Sequence, residues 1–145
     1  METDDRRRSR CLSGRALLKL RLLLDTSTFI WALQSPERLS ARALRALEDD
    51  DALPELSAIS ITEIAIKSGK GKLDVRRENV VAGLADLRAQ VLPWNARHAL
   101  RLFALPPHHA DPFDRQILAQ ALAEKIPVVS SDEKFRLYTG IDIIW

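Results

Sequence analysis

From residue 19 onward the chain alternates short apolar runs with segments of helical period. Leu20–Asp25 is an apolar run that ends in an acid, the pattern of a strand buried on both faces of a sheet. Thr28–Leu33 predicts a short helix, stopped at the Ser35-Pro36 turn, and Ser40 is placed to cap a helix running to about Glu48. Asp49-Asp50-Asp51 then reads as a loop. Leu56–Ile59 predicts a second strand, and Ile61–Ser68 a helix ended by Gly69 and Gly71. Glu78–Ala89 predicts an amphipathic helix, Gln90–Leu92 a third strand stopped by Pro93, and Asn95 a cap for a helix to about Ala104. Beyond the loop Pro106-Pro107-His108-His109, Pro112–Glu124 has the clearest helical pattern. Pro127–Val129 predicts a fourth strand, Asp132–Tyr138 a short helix and Asp142–Ile144 a terminal strand. The alternation predicts one α/β domain over residues 19–145, a three-layer α/β/α arrangement around a mostly parallel sheet of about four to five strands.

Residues 1–18 lack any apolar period and read as a flexible, arginine-rich leader. Its arginines suit RNA phosphates, although a plain solvated tail explains them as well. The leader also distorts the charge. The chain carries 22 basic and 20 acidic residues, but six of the basic and three of the acidic ones lie in residues 1–19, leaving 16 against 17. The domain proper is therefore slightly acidic, and bulk charge argues against a generic nucleic-acid binder. No apolar run approaches the roughly 20 residues of a membrane span, and Ala16–Leu24 is broken by Lys19 and Arg21. The single Cys11 forms neither an internal disulfide nor a cysteine zinc site, which fits a cytoplasmic setting.

In an open parallel sheet, ligands bind beyond the carboxyl ends of the strands. Asp25 ends the first strand, and Asp132 follows the fourth by three residues. Asp114 lies three and four residues before Ile117 and Leu118, on the inward stripe of its helix. Glu63 sits similarly near the start of Ile61–Ser68. Each has a plainer reading. Asp114 favours the helix dipole, Glu63 can pair with Lys67 at i, i+4, and Asp132 lies inside a Ser130–Glu133 capping box. Asp111 before Pro112 is an ordinary N-cap. Asp25 resists such a reading, because an acid ending a buried strand needs a partner.

Convergence would change the balance. Two carboxylates about 4 Å apart repel by roughly 4 kcal/mol at an effective dielectric of about 20. Four together call for a cation, and an oxygen-only set suits magnesium or manganese. His98, His108 and His109 lack metal-ligand spacing with one another and are not expected to be ligands.

Taken in order, several segments resemble a known family. They are Leu22-Leu23-Leu24-Asp25-Thr26 with Trp31; Ser57-Ala58 leading to Glu63-Ile64-Ala65-Ile66-Lys67 and Gly71-Lys72-Leu73; Leu105-Pro106-Pro107-His108-His109 with Asp111-Pro112-Phe113-Asp114-Arg115; Ile117-Leu118-Ala119-Gln120-Ala121; and Ser130-Ser131-Asp132. Together they resemble the PIN-domain ribonucleases, and within them the VapC-type toxins of prokaryotic toxin–antitoxin pairs, over about residues 20–145. The resemblance implies a metal-dependent endoribonuclease with Asp25, Glu63, Asp114 and Asp132 as its acidic quartet. It implies that Thr26 and Ser130 lend hydroxyls, with Asp111 a further candidate. It also implies Mg2+ or Mn2+ as cofactor, a homodimer, and a cognate antitoxin whose C-terminal segment blocks the cleft. Arg115, Lys67, Lys70 and Lys72 are placed to hold RNA phosphates. Departures are Ser27, where many relatives have His, Thr62, where many have Trp, and the leader itself.

Two other readings compete. A metal-dependent phosphohydrolase of small phosphate esters also places an Asp after its first strand, but it usually wants a second acid two residues on, where Ser27 stands. A catalytically silent member that only binds its partner sits poorly with an intact quartet. No glycine-rich nucleotide-binding fingerprint occurs.

Overall fold

The computed structural model describes residues 19–145, so the leader lies outside the described residues. Five strands form one parallel sheet: β1 (Leu20–Leu24), β2 (Ala52–Ser57), β3 (Gln90–Leu92), β4 (Val128–Val129) and β5 (Ile143–Ile144). Their order is β3-β2-β1-β4-β5. The sheet grows outward on both sides of β1, so the order reverses between β1 and β4. A crevice at such a switch point is where doubly wound folds place their sites. The helices are α1 (Thr26–Gln34), α2 (Ala41–Glu48), α3 (Ala58–Gly69), α4 (Arg77–Asp86), α5 (Ala96–Arg101) and α6 (Pro112–Glu124), with short 3-10 turns at Leu102–Ala104 and Glu133–Leu137.

Strand alternation divides the core. Leu22, Leu24, Leu56 and Val129 face one side, against Phe29 of α1, Ala43 of α2, Ile64 of α3 and Val80 of α4. Leu23 and Val128 face the other, against Ile117, Leu118 and Ala121 of α6 and Phe135. The expected three-layer α/β/α architecture is therefore the one observed. Phe135 is fully buried. Phe135→Ala should cost about 3–5 kcal/mol through lost burial and a residual cavity, read as a lower midpoint in urea unfolding.

Several expected boundaries shift: the helix expected at Ile61–Ser68 starts at Ala58, and the one expected at Glu78–Ala89 spans Arg77–Asp86. The second strand is Ala52–Ser57, not Leu56–Ile59, because Pro54 is tolerated inside it. One flank of β2 is open at that point, since β3 pairs only with Glu55–Ser57. Ser57 then ends the strand and caps α3, its Oγ accepting from the Ile59 amide at 3.0 Å. The Ala96–Ala104 region is also an α-helix only to Arg101, finishing as a 3-10 turn. Arg21, which interrupts the apolar run, is absorbed by a bidentate pair with buried Glu55 (2.6 and 2.9 Å). No described helix is long and apolar enough to cross a membrane.

Candidate functional site

Asp25 occupies the junction between β1 and α1. Its backbone leaves the strand and its side chain caps the helix, with Oδ1 accepting from the Thr28 amide at 2.7 Å. Oδ2 accepts from Ser130 Oγ at 2.5 Å, across the switch point from β4. Ser130 Oγ in turn accepts from the Asp132 amide at 3.0 Å. Asp25 is thus tied to the loop after β4, although Ser130 lies 105 residues later. Burial pushes the Asp25 carboxyl above its ordinary range, against the hydrogen bonds from Ser130 and Thr28.

The neighbouring Thr26 reaches to α3. Its hydroxyl lies 2.7 Å from Glu63 Oε1 and 2.9 Å from Ser60 Oγ. Glu63 is buried, and its other oxygen pairs with Lys67 Nζ at 2.5 Å. That bond lifts the Lys67 ammonium above its usual value, and the charges of Asp111 and Asp114 add to it. The i, i+4 pair and a place in the acidic crevice therefore coexist in Glu63.

The third wall is the start of α6. Asp111 Oδ1 accepts from the Phe113 and Asp114 amides at 2.8 and 3.0 Å, capping the helix as its sequence position predicts. Asp114 projects from the first turn toward the crevice. Its partial burial, and then the negative charges of Asp111, Glu63 and Asp25, drive its carboxyl from 3.8 up to about 7, with His109 opposing. An acid held that high reflects burial first and the neighbouring negative charges second. Asp25, Glu63, Asp111 and Asp114 thus interact from three separate segments, and Asp132 joins them through Ser130.

His109 was not expected here. It is buried, with Nε2 2.7 Å from Asp132 Oδ2 and 3.2 Å from Asp114 Oδ2. Ligand-type atoms of these three residues all lie within 4.8 Å of one another. Comparing histidines only with each other missed it. The usable signal was its place two residues before the helix-capping Asp111. His98 is instead buried beside Asn95 in the capping box of α5, and His108 stacks edge-on against Tyr138.

The cationic candidates divide. Arg115 turns its guanidinium onto the carbonyls of Leu105, Pro106 and His109 (3.0–3.2 Å), where it pins the loop before α6. Tyr138 helps, accepting from the His109 amide and donating to the Pro106 carbonyl, both at 2.8 Å. Lys67 lies among the acids, and Lys70 and Lys72 stand exposed beyond the end of α3.

The family model of the PIN domain matches residues 22–140. The chain belongs to the PIN-domain family. Solved structures agree with this at the level of fold. The PIN-domain chain described here is similar to VapBC2 from Rickettsia felis bound to a DNA fragment from its promoter (18% identity, 86% of this chain and 97% of that one, TM-score 0.61). It is also similar to a DNA-bound VapBC from Salmonella typhimurium (21%, 86% and 96%, TM-score 0.60), and to VapBC-5 from Mycobacterium tuberculosis (18%, 86% and 97%, TM-score 0.55). A search of curated proteins finds no significant match to this PIN domain.

The donor set also tests the fit of a divalent ion to this PIN domain. Oxygen ligands predominate, cysteine is absent from the described residues, and Lys67 sits among the acids, paired with Glu63. Burial first, and then the neighbouring carboxylates, hold Asp114 up to about 7. Hard ions such as Mg2+ or Mn2+ suit such a set.

Proposed function

We propose that this chain is a VapC-like toxin, an endoribonuclease that hydrolyses RNA phosphodiester bonds with Mg2+ or Mn2+ and is held silent by a cognate antitoxin. The observation that carries the reading is the meeting of acids from β1, α3, α6 and the loop after β4 at the switch point of the sheet. In this reading Asp25 and Asp114 hold the ion, while Glu63 and Asp132 bind a second ion or position water. The chemistry a bound divalent ion supplies at such a site is a water of lowered pKa and positive charge opposite the phosphate. Thr26 and Ser130 keep their acids oriented. Lys67, Lys70 and Lys72 line an approach for neighbouring phosphates, whereas Arg115 serves the loop.

The partner reading has support of its own. An apolar groove of about 340 Å³ runs between α3 and α4, lined by Ile61, Ile64, Val75, Val80, Val81 and Leu84. It shares α3 with Glu63 and suits an amphipathic segment of a partner. The solved relatives are VapBC toxin–antitoxin assemblies. Exposed Phe103 and Leu100 offer an apolar face for the homodimer that belongs to the same reading.

The test is cleavage of a defined RNA by purified protein with Mg2+ or Mn2+, with EDTA, and with a chromogenic phosphate monoester in place of RNA. Ion-dependent cutting of RNA alone is expected. Turnover of the monoester alone would make the chain a phosphohydrolase, and no turnover of either would leave a partner-binding protein.

A further inference from the structure

His109 is held in a way that decides what its ring can do. Nδ1 accepts a hydrogen bond from the Asp111 amide at 3.1 Å. A proton on Nδ1 would set two donors against each other, so the single N–H of the neutral ring lies on Nε2. That atom faces Asp132 Oδ2 at 2.7 Å and Asp114 Oδ2 at 3.2 Å. The ring has little freedom to turn away. Phe135 packs edge-on against it (5.6 Å between centroids), the His109 amide is bonded to Tyr138, and its carbonyl to Arg115.

A metal-ligating nitrogen must present a lone pair, which here would require moving the proton to Nδ1 and breaking the bond from Asp111. The arrangement therefore opposes direct ligation, although the distances alone would permit it. We infer that His109 is a positioning residue: its Nε2–H bonds Asp132, beside Asp114, and holds the Asp132 carboxylate in place at the divalent-ion site without itself binding an ion. This rests on the metal-site reading above. Hydrogen-bond donors behind carboxylate ligands commonly govern how well an ion is held. Facing Asp114 at 3.2 Å as well, the N–H also offsets part of the repulsion between two acids brought together by different segments, α6 and the loop after β4. Tyr138 and Arg115 gain a role as well, since they fix the loop that carries the ring.

The test uses the full chain and Mn2+ as the probe. Nitrogen NMR of the ion-free protein should show the His109 ring protonated at Nε2. Pulsed EPR of the Mn2+-loaded protein should show no directly bonded ring nitrogen. His109→Ala should weaken Mn2+ binding by about 10- to 100-fold, measured by calorimetry. His109→Gln, which can return a donor near the Nε2 position, should recover most of that loss, and it serves as the folded comparison if the alanine variant unfolds. A bonded nitrogen signal that vanishes in either variant would make His109 a ligand and overturn the inference. So would an Nδ1–H ring, or Mn2+ affinity unchanged in both variants. Failure of the wild-type protein to bind Mn2+ would instead remove the metal site itself, and this role with it.

Discussion

Asp114→Asn is expected to stabilise the ion-free protein at pH 8, by about 2–4 kcal/mol, while leaving its stability near pH 4 almost unchanged. The sign follows from the raised carboxyl. In the folded chain Asp114 keeps its proton up to about pH 7, whereas an unfolded chain releases it near 3.8. Stability from this group is therefore fully present below about pH 4 and is lost as the pH climbs toward 7. The full difference is worth about 4 kcal/mol as a ceiling, and partial exposure of the side chain lowers it. The raised carboxyl of Asp25 acts in the same direction. Asparagine abolishes the titration and the repulsion together. Urea unfolding in EDTA at pH 4.5 and pH 8, wild type against variant, measures the effect. Equal gains at both pH values would show that charge crowding is not its origin. Millimolar Mn2+ should raise the wild-type melting temperature at pH 8, and the variant should largely lose that response.

Asp25→Asn should reduce RNA cleavage by two to three orders of magnitude or more, in the range produced by removing one essential electrostatic group, and should relieve toxicity in cells. It should do so on an intact fold. Asparagine caps a helix as well as aspartate does, so the bond from the Thr28 amide survives. The amide nitrogen can donate to Ser130 Oγ, which has a free lone pair beside the one accepting from the Asp132 amide. Near-UV circular dichroism should match wild type while RNA end-sequencing after a pulse of expression shows no new cuts. A variant that still cuts RNA would place the chemistry elsewhere.

Much of this was legible in the sequence because it depends on local order. The end of a buried strand is a fixed place, so Asp25 could be located from Leu22-Leu23-Leu24 alone. The inward stripe of α6 likewise located Asp114, because helical period carries the information. Ser40 and Asn95 showed themselves as caps for the same reason. What stayed hidden was long-range. The start of β2 was obscured by Pro54, whose tolerance depends on where β3 begins to pair. The surroundings of His109 depend on Asp132, 23 residues on, and on a loop bent by Arg115. Arg115 itself looked like a free cation, since nothing local reveals that three carbonyls of an upstream loop will surround it.

The adjacency of β1 and β4 also bears on when the chain becomes competent. Asp25 is synthesised well before its partner Ser130, which lies 105 positions later, with Asp132 two residues beyond that. A half-made polypeptide on the ribosome can hold at most part of the acidic crevice. The crevice can therefore be completed only after the segment carrying Ser130 and Asp132 has been added.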